Sequence, residues 1–361
     1  MMKIHSFLLL LAMATSLGSA EVTDPTLVRY ITRTLPNCPA NKVRIETFAG
    51  VAPKGFTTYK VTHTSADPAC GRVAAVFVSP GTGQVLLSDV FTLPFDPRPL
   101  ETRLAELSQS LLKFPVTTTI DSSPLPDDLW RVRVRKQTEH GPFHYHGYLD
   151  GSRRFFLVGR RGKLSVDPGT SLLEALGARN AVTRGTKGAP LQILELSDFQ
   201  CPTCKRAHEA LEPVIQQNLS RIAYSRLDLP LFEHHDWSMS ASLGARAIQR
   251  VAPAKYWDYV DFIFENQALI KRDNVESIIR GFCEDRDISW TKVRAIYSSP
   301  EEKRKLLDQV ERAFDNGVNG TPTFIVNGQF VHYGTDGEYL KRVIHSHLTQ
   351  KPAAKSGEKG N

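Results

Sequence analysis

The C-terminal half carries the clearest pattern of apolar and polar positions. Leu191-Gln192-Ile193-Leu194-Glu195-Leu196 reads as a buried strand ending at Ser197-Asp198-Phe199-Gln200. Cys201-Pro202-Thr203-Cys204 then opens a helix that continues through Lys205-Arg206-Ala207-His208-Glu209-Ala210-Leu211. A second strand is predicted over Arg221–Leu227. Apolar residues at helix period run through Ser238–Arg250, Lys255–Gln267, Val275–Asp285 and Glu301–Phe314, with Asp273 and Glu276 forming a capping box for the third. Thr323–Val326 and Gln329–Val331 make a hairpin around Asn327-Gly328, a strong two-residue turn signal. A last helix runs from about Gly337 to Leu348, and the polar tail 350–361 is expected to be disordered.

The first half repeats itself at an offset of 70 or 71 residues. Tyr59-Lys60-Val61 lines up with Trp130-Arg131-Val132, and the turn Pro80-Gly81-Thr82-Gly83 with Asp150-Gly151-Ser152-Arg153. Val85-Leu86-Leu87 matches Phe155-Phe156-Leu157, and each copy passes through Asp96-Pro97 or Asp167-Pro168 into a helix with paired leucines. Two apolar runs around a glycine-containing turn read as a hairpin. Each copy is therefore expected to be a small curved antiparallel sheet with one helix. Residues 179–189 lack apolar periodicity and contain two glycines, so they read as a linker.

Composition narrows the class. At 361 residues the chain suits two or three domains and can bury a core without staples. Lys3, an apolar stretch from Phe7 to about Leu17 and the small residues Gly18-Ser19-Ala20 read as a secretory leader over 1–20. The stretch is shorter than the roughly 20 residues a bilayer span needs. The mature chain is expected to be exported and soluble, in the periplasm or a similar compartment where disulfides persist. The formal charge is +7, and Arg131, Arg133 and Arg135 alternate with Val132 and Val134 to make one strand face basic. A solvated sheet face, rather than a nucleic-acid surface, is the expectation for an exported chain.

Candidate chemistry centres on Cys201 and Cys204. A thiol at a helix start feels the positive end of the macrodipole and unpaired N–H groups, both of which favour thiolate. That suggests dithiol–disulfide exchange. A zinc site needs about four ligands and no second Cys-x-x-Cys is present, so no metal is expected at this pair. Cys38 and Cys70 both lie in the first repeat and are expected to pair, which would stabilise by about 3–4 kcal/mol in the chain-entropy model. Cys283, beside Phe282, reads as a buried inert thiol. His144 and His146 share a strand face with His140 nearby; a solvated face is favoured over a metal site such as copper. His234-His235 reads as a loop. His208, one turn after Cys204, either tunes the dithiol or faces solvent.

Two segments, Leu194-Glu195-Leu196-Ser197-Asp198-Phe199-Gln200-Cys201-Pro202-Thr203-Cys204 and Gly317-Val318-Asn319-Gly320-Thr321-Pro322-Thr323-Phe324, resemble the DsbA-like branch of the thioredoxin superfamily. A helical insertion of the expected length separates them, and the resemblance covers about Ala189 to Leu348. It implies an exposed attacking thiol at Cys201 and a buried resolving thiol at Cys204, linked through a mixed disulfide. It places a proton-exchanging carboxylate at Glu195, against the alternative of a partly exposed strand-end acid. It also implies a cis Pro322 facing the dithiol, with Thr321 pairing to an extended substrate. Thr321 is similar to the residue found there in isomerases and reductases. A potential of roughly −130 to −250 mV is expected.

The expected architecture is an α/β thioredoxin fold with a helical insertion at about 232–316 inside domain 190–349, preceded by a duplicated α+β domain at 21–178. The two copies are expected at about 41–112 and 113–178. The expected function is that of an exported thiol:disulfide oxidoreductase needing no cofactor. It would act on protein substrates with thiols or disulfides, be served by an unidentified redox protein, and dimerise through the N-terminal domain. Two other readings stay open: a client-binding chaperone without enzymatic activity, and a copper metallochaperone using Cys201, Cys204 and the histidines.

Overall fold

The computed structural model describes residues 20–49, 52–68, 70–93, 95–334 and 337–349. The expected leader, Ala20 apart, and the expected tail lie outside the described residues. The chain divides into two units, Met1–Gly177 with Pro300–Asn319, and Ala178–Ser299 with Gly320–Asn361.

The first unit begins with α1 (Pro25–Thr34), followed by β1 (Lys42–Thr47), β2 (Thr57–Thr64), β3 (Arg72–Val78) and β4 (Gln84–Thr92). It continues with α2 (Leu100–Leu112), β5 (Thr117–Ile120), β6 (Leu129–Thr138), β7 (Gly141–Asp150), β8 (Phe155–Lys163) and α3 (Pro168–Ala175). All eight strands form one antiparallel sheet in the order β1-β2-β3-β4-β8-β7-β6-β5. The two copies meet where β4 pairs with β8. Ser88 faces Gly159 there, its own counterpart 71 residues on. The pairs Phe77↔Leu86 and Tyr148↔Leu157 repeat with the same offset, so a pseudo-two-fold axis relates the copies. A Cβ at Gly159 would run into the Leu87 carbonyl oxygen, which explains a glycine at this seam.

The repeat unit is a helix followed by four strands. Asp24-Pro25, Asp96-Pro97 and Asp167-Pro168 precede α1, α2 and α3 at nearly even spacing. Asp24 caps α1 by accepting from the Thr26 and Leu27 N–H groups, and Asp167 caps α3 by accepting from Thr170 N–H at 2.9 Å. Asp96 instead bonds Arg98, and α2 starts later, at Leu100. Ile31 of α1 packs on Val61, Val76 and Val85, while Leu104 of α2 packs on Val132, Val134 and Phe156. Arg131, Arg133 and Arg135 lie on the exposed face of β6, as the alternation predicts. Cys38 and Cys70 are disulfide-bonded, with Cα atoms 6.1 Å apart.

In the second unit, β9 (Val182–Gly185) and β10 (Leu191–Ser197) precede α4 (Pro202–Gln216) and β11 (Ile222–Asp228). Four helices follow: α5 (Ser238–Val251), α6 (Tyr256–Glu265), α7 (Val275–Glu284) and α8 (Trp290–Tyr297). The next helix, α9 (Pro300–Asp315), belongs to the first unit. The second unit closes with β12 (Thr323–Val326), β13 (Gln329–Val331) and α10 (Glu338–Thr349). Its sheet runs β13-β12-β10-β11-β9, with β10 and β11 parallel and the other pairs antiparallel. This is the thioredoxin-like fold with a helical insertion. Leu191 and Ile193 of β10 pack with Leu211 and Ile215 of α4 and with Ile344 of α10, while Phe199, Cys204, Tyr259 and Phe282 join a second cluster with the inserted helices.

Three local expectations change. Residues 182–185, read as linker, are strand β9; four residues ending in a glycine are too few to show a period, and pairing with β11 defines the strand. The Asp273–Glu276 capping box does not form, because α7 starts one residue later, at Asn274 as N-cap. Helix α8 went unread, its eight residues giving little more than two turns of pattern.

His144 and His146 are not a solvated face. Strand β7 pairs with β8 only at Tyr148 and Leu149, so the backbone before them is open on that side. Helix α9 fills it: His144 N–H donates to Glu311 Oε1 at 2.9 Å and His146 N–H to Asp315 Oδ1 at 3.2 Å. The imidazole Nδ1 atoms sit 3.2 Å from Glu311 and 2.7 Å from Asp315. Residues two apart on a strand thus meet carboxylates four apart on a helix, two spacings of similar length.

Candidate dithiol site

Parallel pairing of β10 with β11 sets the base of the site, with Glu195 opposite Arg226. The chain turns at Ser197–Gln200, and Cys201 becomes the N-cap of α4 with Pro202 at its first position. Both thiols are reduced. Cys201 retains 7% of its surface and Cys204 none. Cys201 is therefore less exposed than the resemblance implies, because it lies in a cluster with Phe199 and Trp237.

The two thiols are electrostatically unequal. A hydrogen bond from the Cys204 thiol, against the opposing effect of burial, lowers the Cys201 pKa from 9.0 to about 6. The Cys204 and Thr203 N–H groups add to this at the helix start. The Thr321 side chain acts in the same direction, although its buried hydroxyl makes no hydrogen bond of ordinary length. Burial, then the Cys201 sulfur and the charge of Glu195, push Cys204 far in the opposite direction. Asp198 N–H donates to Cys204 Sγ at 3.5 Å and partly offsets that rise. At pH 7 a thiol with a pKa of 6 is about 90% thiolate, while Cys204 stays protonated.

Glu195 is 1% exposed, not a strand-end acid at the surface. The Tyr224 hydroxyl donates to its Oε2, and its Oε1 is buried without a partner. Arg226, itself 2% exposed, pairs with Asp228 and lies 4.0 Å over the Phe199 ring. The Thr321-Pro322 peptide is cis, and in the thiol form Cys201 Sγ–H donates to the Thr321 carbonyl at 3.5 Å. Gln267 Nε2 donates to the carbonyls of Phe199 at 2.7 Å and Cys201 at 3.2 Å, bracketing the turn from the insertion side.

Cys201, Cys204, Glu195, Thr321 and Pro322 all belong to this unit, and Cys38 and Cys70 to the other. His208 neither faces solvent nor reaches the dithiol through a hydrogen bond; its Nε2 meets Asp261 at 2.8 Å and its ring lies tilted against Phe264, with centroids 5.0 Å apart. His208, Glu212 and Asp261 bring their ligand atoms within 4.8 Å of one another. Arg184 already holds both Glu212 oxygens, so a cation there would have to displace a guanidinium. Cys283 is buried, and burial raises its pKa to about 11. Sequence reasoning missed Tyr224, Asp198, His235 and Gln267. Asp198 lies inside the segment 194–204 and His235 in the loop before the helical insertion, whereas Tyr224 and Gln267 carry no local signal.

A family model described as thioredoxin matches residues 178–346, a little under half of the chain. Disulfide bond formation protein D of Bacillus subtilis is 26% identical over 180 residues, covering 46% of this chain and 77% of that protein. The Na(+)/H(+) antiporter NhaA 1 of Salinispora arenicola is 26% identical over 163 residues, 45% of this chain. The chain spans only 24% of that antiporter's length. No helix among the described residues is long and apolar enough to cross a membrane. The oxidised crystal structure of BdbD from Bacillus subtilis aligns with 49% of this chain and 95% of its own at 21% identity and a TM-score of 0.40. The family match places a thioredoxin-like domain at residues 178–346.

Proposed function

We propose that the chain is an exported thiol:disulfide oxidoreductase acting on protein clients through Cys201 and Cys204. The observation that carries this reading is the opposed pair at the start of α4, one thiol held near a pKa of 6 and its neighbour held protonated. The Cys201 thiolate attacks a client disulfide, a mixed disulfide forms, and one client sulfur leaves as thiolate. Cys204 then loses its proton and attacks Cys201 Sγ. That releases the second client thiol and leaves Cys201–Cys204 oxidised by the two electrons the client has gained. Glu195, with one oxygen unpartnered, is the group that takes the Cys204 proton. Where the released client thiolate instead opens a second client disulfide, and the thiolate freed there attacks the client sulfur held on Cys201, Cys201 leaves as thiolate and the client is isomerised with no net oxidation.

Isomerisation or reduction, rather than dedicated oxidation, is the proposed direction, supported by Thr321 and by the additional eight-stranded sheet. Thr321 and Pro322 form the edge along which the client lies, and a second redox protein resets the pair. Association of two copies is assigned to the first unit. Parallel refolding assays test the direction: the chain should recover activity faster from a scrambled client than from a reduced one. Rapid oxidation of reduced client with no recovery of scrambled client would contradict it.

A further inference from the structure

The loop after β11 is tied to the turn that presents the dithiol by a dense set of bonds. Leu229 N–H donates to Ser197 O at 2.8 Å and Leu231 N–H to Asp198 Oδ2 at 2.7 Å. Gln200 reaches the same loop twice, donating to Asp236 Oδ1 at 2.9 Å and accepting from Trp237 N–H at 2.8 Å. Asp198 is the hub. It is fully buried, its Oδ1 accepts from Gln200 N–H at 2.7 Å, and its Oδ2 lies 2.8 Å from His235 Nδ1. Its own N–H is the group that donates to Cys204.

A buried carboxylate is costly unless its charge is matched. His235, whose Nδ1 faces Asp198 Oδ2, supplies that matching charge when its imidazole is protonated. We propose that His235 is a positioning residue for the dithiol: as an imidazolium on buried Asp198 it fixes the turn and holds Cys201 as thiolate. The inference rests on the function proposed above and adds a control of the attacking thiol that the thioredoxin motifs do not contain.

The charged groups facing His235 are Asp198 from the strand-to-helix turn, Cys201 from the start of α4, and Asp236 from its own loop. The hydrogen bond to Asp198 raises the His235 pKa above 6.5, with the charges of Asp198, Cys201 and Asp236 in the same direction and burial opposing. Coupling between two titrating groups is reciprocal, so an imidazolium favoured by the thiolate also favours the thiolate. The raised imidazole is charged at low pH and loses its charge as pH rises through the folded value. The lowered thiol becomes charged as pH rises through about 6. Both charges coexist between those two points.

His235→Gln keeps an N–H for Asp198 and removes the charge. Alkylation of Cys201 against pH, read by mass, should be half-maximal near pH 6 in the parent. In the variant it should shift upward by about half a unit or more, so that alkylation at pH 6 slows about twofold or more. Glutathione exchange is measured on the same samples. A parent that does not exchange removes the proposed function and this inference with it. Superimposable profiles in an exchanging parent overturn this inference alone. Should the variant fail to fold, imidazole NMR of the parent serves instead: the His235 pKa should fall when Cys201 and Cys204 are oxidised, and equal values in both states overturn the proposal.

Discussion

The Tyr224 hydroxyl donates to one oxygen of Glu195 across two parallel strands, leaving the other carboxylate oxygen buried and unpartnered. The two residues are offset by two positions in the ladder, since Glu195 itself faces Arg226. Tyr224 thus fixes the carboxylate in one orientation, with its second oxygen buried and unpartnered. Glu195→Gln should slow the resolving step, in which Cys204 attacks, by at least about tenfold, with little change in Cys201 alkylation. Stopped-flow decay of a preformed mixed disulfide separates the two. Equal decay in parent and variant would remove Glu195 from the mechanism.

The two cysteines should fail differently. Cys201→Ser is expected to abolish insulin reduction, whereas Cys204→Ser should accumulate mixed disulfides visible on non-reducing gels. Full turnover in Cys201→Ser would refute the assignment of the attacking thiol.

Because the Cys204 hydrogen bond is the largest cause of the low Cys201 pKa, Cys204→Ala should raise it from about 6. A lowered thiol stabilises the reduced fold at pH above its unfolded value, and that contribution is lost as pH falls through the folded one. The reduced chain should therefore lose stability between about pH 9 and pH 6. Thermal melts of reduced parent and Cys204→Ala across that range should show a weaker pH dependence in the variant.

In the first unit, Leu104 of α2 is fully buried against Val132, Val134 and Phe156. Leu104→Ala should destabilise that unit by about 2–5 kcal/mol, measured by urea unfolding, while the Cys201 alkylation profile stays that of the parent.

The dithiol, its flanking strand and helix, and the turn at Asn327-Gly328 were legible because each depends on residues close in sequence. Asn327 and Gly328 both take the left-handed conformation their hairpin turn needs. The duplication was legible too, through its turns and Asp-Pro steps, but not the seam that joins the copies. Pairing Ser88 with Gly159 depends on β4 and β8 leaving their own hairpins, which no local pattern encodes. The partners of the site were hidden for the same reason. Tyr224, His235 and Gln267 come to Glu195, Asp198 and Cys201 only through tertiary contacts, and each reads as an ordinary core or loop residue by itself. His144 and His146 misled because their strand looks solvated until α9 covers its open side.

Equilibration of the full chain with glutathione redox buffers, followed by acid trapping and mass analysis of Cys201 and Cys204, tests the central claim most directly. One two-electron transition of that pair is predicted, with a midpoint of roughly −130 to −250 mV and with Cys38–Cys70 and Cys283 unchanged through it. A pair that stays reduced or oxidised across the whole range, or a transition that maps to other cysteines, would contradict the account.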